Sequence, residues 1–386
     1  MNPHLEIRVV DGHGLGLIAS QEISKGDLLF SERPVLWSVD LRGSSCCCDQ
    51  CGYAANLKES TWCPEGCGLL FCSDRCYSQG LALGHRWVCE AFGSAIITKN
   101  ISLIDTSNHV LLALKFYARI AETIIQSNNT LNSLEVANSF CAEYHTEDYC
   151  KCLHALRTNR LEVQEDVFQS MIGPAYFTTY LEESLHMIKS IFQDNKAWAF
   201  VPNDEIRVKT IEDIKKNSST FLSSGVFDQL FFRNIMGMFR VNNLSVEIVP
   251  GNQNKICESN AQSELNFEEG ETNQQIPAAS TTLHGTGLYY IYSKMNHSCN
   301  PNTANNCDEE STQVNVWANC DIHEGEEVTT TYLHTGDSSL LSYDERRGRL
   351  LQYLFECTCI LCNSQRQESA DAEEEEGGLY PKRGDY

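Results

Sequence analysis

Two groups of cysteines in this chain have the spacing of metal ligands. The first runs Cys48-x2-Cys51-x11-Cys63-x3-Cys67-x4-Cys72-x3-Cys76-x8-His85-x3-Cys89, which supplies the ligands for two closed tetrahedral zinc sites. The short gaps let two sulfurs reach one ion from a single turn, and the longer gaps provide the return path. An interleaved arrangement is expected, with Cys48, Cys51, Cys72 and Cys76 on one ion and Cys63, Cys67, His85 and Cys89 on the other. Cys46 and Cys47 precede Cys48 directly, so the register of the first ligand stays open among the three. The second group, Cys357-x-Cys359-x2-Cys362, offers three sulfurs and needs a fourth ligand. Two further strings lie upstream of it: Asn296-His297-Ser298-Cys299, then Gly325-Glu326-Glu327 with Tyr332 five residues on.

Composition favours metal over disulfides. The chain has 386 residues, 42% apolar and 21% charged, with 19 cysteines. It shows neither an apolar run near 18 residues nor a charged-then-apolar leader, so an intracellular protein, cytoplasmic or nuclear, with no membrane contact is expected. Thiols in those compartments are kept reduced. The net charge of -23 argues against direct nucleic-acid binding. A basic protein is the more natural partner, and a monomer is expected.

The elements that must position these residues can be read coarsely. Leu5 to Val10 alternates, breaks at Gly12, Gly14 and Gly16, and resumes at Leu17-Ile18-Ala19 and Leu28-Leu29-Phe30, predicting short antiparallel strands. Residues 46–89 hold nine cysteines with little apolar periodicity, so metal rather than a core should hold them. Between about 104 and 240 the spacing turns helical, with stripes at Val110, Leu111, Leu114 and Tyr117, at Tyr180, Leu181 and Leu185 after Pro174, and at Phe227, Leu230, Phe231 and Ile235. Residues 251–283 read as a flexible polar insertion. Strands are predicted again at 288–292 and 314–318. After Cys362 only 24 residues remain, an acidic tail with Glu373 to Glu376.

In series, these strings resemble the SET and MYND domain-containing protein lysine methyltransferases, in which a MYND zinc finger splits the SET domain. The chain resembles the fifth, acidic-tailed branch of that family, which lacks the long C-terminal helical domain. The resemblance implies an α+β fold: a SET-domain β-fold with a pseudoknot, split by the finger and a helical linker, closed by a post-SET zinc segment. The domains would be 1–47 (N-terminal SET part), 48–89 (finger), 90–235 (helical linker and insert), 236–335 (core SET), 336–363 (post-SET) and 364–386 (disordered tail). One departure is the x3 spacing of Cys63 and Cys67, where the family usually has x2.

The same resemblance implies S-adenosylmethionine as cofactor, three zinc ions, and a basic protein substrate such as a histone tail or ribosomal protein. The finger would bind a peptide partner. Asn296 and His297 would contact the cofactor, with His13, Leu15 and Gly16 of the glycine-rich turn, Asn242 (or Asn243) and Phe355. Tyr332 and Tyr353 would be catalytic, the Tyr332 hydroxyl beside the methyl group and the incoming amine. A phenol can orient an amine without trapping it as an ion pair. Cys299 would be the fourth ligand to the zinc of Cys357, Cys359 and Cys362. The family usually carries Arg, Lys or Asn at Leu15 and Phe at Leu244, and the Leu244 change widens the expected lysine channel. The alternative function is a catalytically weak scaffold or transcriptional corepressor.

Overall fold

A computed structural model describes residues 4–39, 47–53, 60–93, 95–100, 109–127, 129–152, 174–193, 196–199, 211–248, 283–308, 311–333 and 341–366. Cys46, Cys257, all but the last residue of the 251–283 insertion, and the tail beyond residue 366, with Glu373 to Glu376, lie outside the described residues.

Three small antiparallel sheets combine strands from the N-terminal and C-terminal parts of the sequence. The first has the order β1 (Leu5–Val10), β2 (Gly14–Ala19), β11 (Glu327–Val328); the second β3 (Leu28–Glu32), β10 (Val314–Ala318), β9 (Thr303–Cys307). The third has the order β4 (Leu36–Val39), β8 (Leu283–Leu288), β7 (Asn243–Ile248). The β1–β2 hairpin turns through Gly12 and Gly14, both at positive φ (75° and 81°), where a side chain would be strained. These sheets share one core, in which Leu17, Leu29, Tyr289, Val316, Ile322 and Val328 are buried.

A second core is helical. Helix His109–Gln126 is buried almost all round and packs with helices Pro174–Phe192 and Gln229–Asn242. Trp87, Phe116, Tyr117, Phe192, Trp198, Phe221, Phe232 and Phe239 fill the space between them, with Trp87 stacked on Phe192 at 5.1 Å. Asp228 and Asn132 cap their helices by accepting backbone N–H groups, which fixes two of the starts. None of the described helices is long and apolar enough to cross a membrane.

Three expectations are corrected. Residues 46–89 do own a core: Leu69, Phe71, Trp87 and Val88 are buried in the helical cluster, contributed by the stretch around strand Leu70–Phe71 (β6, paired with β5, Thr61–Trp62) and by helix His85–Gly93. Their apolar positions are few but large, so the sequence shows no stripe. The strand expected at 288–292 ends at Leu288, because the carboxylate of Glu32 accepts the backbone N–H groups of Tyr290, Ile291 and Tyr292 and folds them into a turn before the 3-10 helix Tyr292–Lys294. The boundary drawn before residue 236 falls inside helix Gln229–Asn242.

Candidate functional site

The twelve expected ligands gather into three sets of four. Cys48, Cys51, Cys72 and Cys76 form one, Cys63, Cys67, His85 and Cys89 another, and Cys299, Cys357, Cys359 and Cys362 the third, with ligand atoms within 4.8 Å of one another in each. Four sulfurs at about 2.3 Å from one tetrahedral ion would sit about 3.8 Å apart. The observed separations match: Cys51 to Cys72 3.6 Å, Cys63 to Cys89 3.7 Å, Cys299 to Cys357 3.9 Å and Cys299 to Cys362 3.5 Å. Cys48 rather than Cys47 belongs to the first set, which settles that register between the two described candidates. The donor sets therefore fit zinc.

The finger is built into the rest of the molecule. Asp49 lies 3.8 Å from Nδ1 of His85 through one carboxylate oxygen and 2.7 Å from Nζ of Lys115 through the other. Lys115 belongs to helix His109–Gln126 and also sits over the Trp37 ring. On the sheet side, Thr312 donates to the carbonyl of Cys51 at 2.9 Å, and Tyr289 donates to the carbonyl of Thr312.

The Asn296–Cys299 string lies against the segment that ends in Tyr332. Ser298 N–H donates to the Thr330 carbonyl and Thr330 N–H to the Asn296 carbonyl, with His297 and Thr330 as parallel partners. Asn302 adds bonds to Thr329 and Glu327 on the same segment. Tyr332 N–H donates to Nδ1 of His297 at 3.0 Å, and the Tyr332 hydroxyl donates to the Met295 carbonyl at 2.9 Å. Burial pushes the Tyr332 phenol above its ordinary range, so it stays protonated and able to donate. Tyr353 lies 4.9 Å from the Tyr332 ring, and Phe355 6.0 Å from the His297 ring.

The residues expected to hold a cofactor divide into two neighbourhoods. Asn296 Nδ2 donates to the Leu15 carbonyl at 3.2 Å and to Glu327 Oε1 at 2.7 Å, while His13 Nδ1 is 3.3 Å from Glu327 Oε2. Gly16 is tight beside them: a Cβ there would meet Glu327 Oε1 at 2.8 Å and Asn296 Nδ2 at 3.1 Å. The Leu15 side chain points to solvent, so only its backbone serves this cluster. The second neighbourhood is the aromatic group of His297, Tyr332, Tyr353 and Phe355. Asn242 stands apart from both, its amide donating to the carbonyls of His145 and Met238.

A cavity of about 580 Å³ opens against Tyr332, within the range that holds a small ligand. Asn242, Leu244, Tyr292, Met295, Tyr332, Leu333 and Tyr353 line it, together with Asn300, Asn305 and Asn319. At its wall Tyr292 shares its hydroxyl with Asn305 and Thr330.

Three residues of this neighbourhood carry more than the sequence suggested. Glu327 ties His13 to Asn296, though within Gly325-Glu326-Glu327 it served only as a signature. Arg346 is fully buried beside Cys362, and its place in an Arg-Arg pair just before the third cysteine group was the available signal. Glu32 gave none, since its three backbone partners are more than 250 residues away.

Comparison with known proteins agrees with this geometry. A model described as SET domain matches residues 233–333. The mouse "Protein-lysine N-trimethyltransferase SMYD5" is 22% identical over 412 residues, covering 96% of this chain and 89% of that protein. The "Histone-lysine N-methyltransferase ATXR2" of Arabidopsis thaliana is 27% identical, covering 78% of this chain and 62% of its own length. The "Histone-lysine N-methyltransferase set5" of Schizosaccharomyces pombe is 35% identical over a shorter stretch, 21% of this chain and 25% of its own.

Proposed function

The chain belongs to the SET and MYND domain-containing protein-lysine methyltransferases, and on that premise we propose that it methylates a lysine of a basic protein with S-adenosylmethionine as donor. The carrying observation is the Tyr332 phenol, held by the Met295 carbonyl at the wall of the 580 Å³ cavity with Tyr353 beside it. Bound there, the cofactor supplies an electrophilic methyl group on a sulfonium. The chain's own residues must then hold it, deliver a neutral amine end-on and exclude water. His13, Leu15, Gly16, Asn296 and His297 hold the cofactor, joined by Phe355 and, at the cavity wall, Asn242. Tyr332 and Tyr353 orient the lysine nitrogen. Leu244, in the cavity wall, leaves more room than a phenylalanine.

We read the pairing of Asn296–Cys299 with Thr330–Tyr332 as the pseudoknot, and the Cys357–Cys362 segment as the post-SET closure that brings Tyr353 and Phe355 over the site. All three zinc ions are structural in this reading. The boundaries are 48–89 for the finger and 336–363 for the closure, with the core SET part running from helix Gln229–Asn242 to about residue 335. The relatives named as histone-lysine methyltransferases support a histone tail as substrate, and the charge of -23 suits any basic protein, a ribosomal protein included. The finger takes a peptide partner, and the protein works as a monomer in cytoplasm or nucleus.

Titration with S-adenosylmethionine and a methyl-transfer assay on histones and ribosomal proteins test this reading. Saturable cofactor binding with methyllysine product supports it. Binding without product on any basic protein would leave a scaffold.

A further inference from the structure

We propose that Arg346 is the counter-charge of the zinc site formed by Cys299, Cys357, Cys359 and Cys362, a positioning residue that retains that metal. The proposal rests on the zinc reading above. The Arg346 side chain is fully buried. Nη1 donates to the Leu341 carbonyl at 2.6 Å, and Nη2 donates to Oε1 of Gln365 and lies 3.7 Å from Sγ of Cys362. Nε has no hydrogen-bond partner among the described residues.

Among the described residues, no carboxylate pairs with Arg346. Arg347, the next residue, is exposed and pairs with Glu356, whereas no ion pair among the described residues includes Arg346. A guanidinium keeps its charge at every accessible pH, and a charge buried without its opposite is strongly disfavoured. The anion at hand is the cysteine cluster, and it is anionic only as thiolates. Four thiolates around one divalent zinc carry a net charge of about -2. A guanidinium against Cys362 halves that charge and adds an N–H···S bond of the kind that tunes metal affinity. Metal and arginine thus each remove the cost of burying the other. Protonated thiols would leave Arg346 uncompensated.

The test is zinc release from the full-length, zinc-loaded protein, challenged with excess chelator and read with a colorimetric zinc indicator. The two ions of the finger serve as an internal reference. In Arg346→Met one of three zinc equivalents should leave about tenfold faster or more, with the other two unchanged. Arg346→Lys, which keeps the charge, should release that equivalent at least about threefold more slowly than Arg346→Met. Unchanged release in Arg346→Met, equal acceleration of all three ions, or a lysine variant no better than the methionine one would overturn the proposal. Two zinc equivalents in the unsubstituted protein would instead overturn the zinc reading beneath it.

Discussion

The backbone N–H of Tyr332 donates to Nδ1 of His297 across 3.0 Å, although 34 residues separate them in the chain. The other ring nitrogen, Nε2, lies 3.2 Å from Sγ of Cys299. Since Nδ1 accepts, Nε2 must carry the proton, and the imidazole is neutral. Burial agrees, drawing the His297 pKa from 6.5 down to about 4. One ring therefore joins the third metal set to the tyrosine at the cavity wall.

Cys299→Ser should lower the zinc content from about three ions to about two and sharply reduce turnover, because both the closure and the His297 link lose their anchor. Elemental analysis beside a methyl-transfer assay checks this. Three retained ions with normal turnover would refute the link.

Tyr332→Phe removes the hydroxyl bonded to the Met295 carbonyl but keeps the ring packing with Tyr353 and His297. Cofactor affinity should stay within about threefold, while turnover falls about a hundredfold or more. Calorimetric titration and initial rates separate the two quantities, and unchanged turnover would sink the catalytic role.

Gly16→Ala places a methyl group 2.5 Å from Val10 Cγ2 and within 3.1 Å of both Glu327 Oε1 and Asn296 Nδ2. The Asn296–Glu327 bond must give way. Cofactor affinity should fall about tenfold or more while the zinc content holds. Unaltered affinity would remove this cluster from the cofactor site.

His109 offers a pH prediction distant from the metals. Burial, with a smaller effect from Arg240, draws its pKa from 6.5 down to about 3. Between those values the unfolded chain takes up a proton that the folded one refuses. Stability therefore rises with pH across the window and falls on acidification, by up to about 1.4 kcal/mol per pH unit from this group. In His109→Asn the urea midpoint should depend less steeply on pH from 6.5 to 5.5. Equal slopes would disprove the assignment.

Local signals made much of this legible. The metal spacings picked out eleven of the twelve candidate ligands, the family resemblance added Cys299, and glycine positions with period-two alternation located β1 to β3. The Pro174 helix start and the strand at 314–318 were likewise written locally. What stayed hidden depends on partners distant in sequence. Tyr289 to Tyr292 have strong strand propensity, yet one carboxylate from β3 turns them. Asn242 lines the cavity, but its amide is also held by the carbonyl of His145, 97 positions upstream, a tie no local pattern announces. Its neighbour Asn243 is held by His109, Thr286 and the helix end. The core of the finger was missed because it exists only against helices drawn from later sequence.

The carboxylate of Asp49, shared between His85 in the finger and Lys115 in the long helix, fastens the finger to the helical core. Thr312 and Tyr289 hold the opposite side, so the described part of the finger is tied to the sheet core as well as the helical one and should unfold together with them rather than as a separate unit.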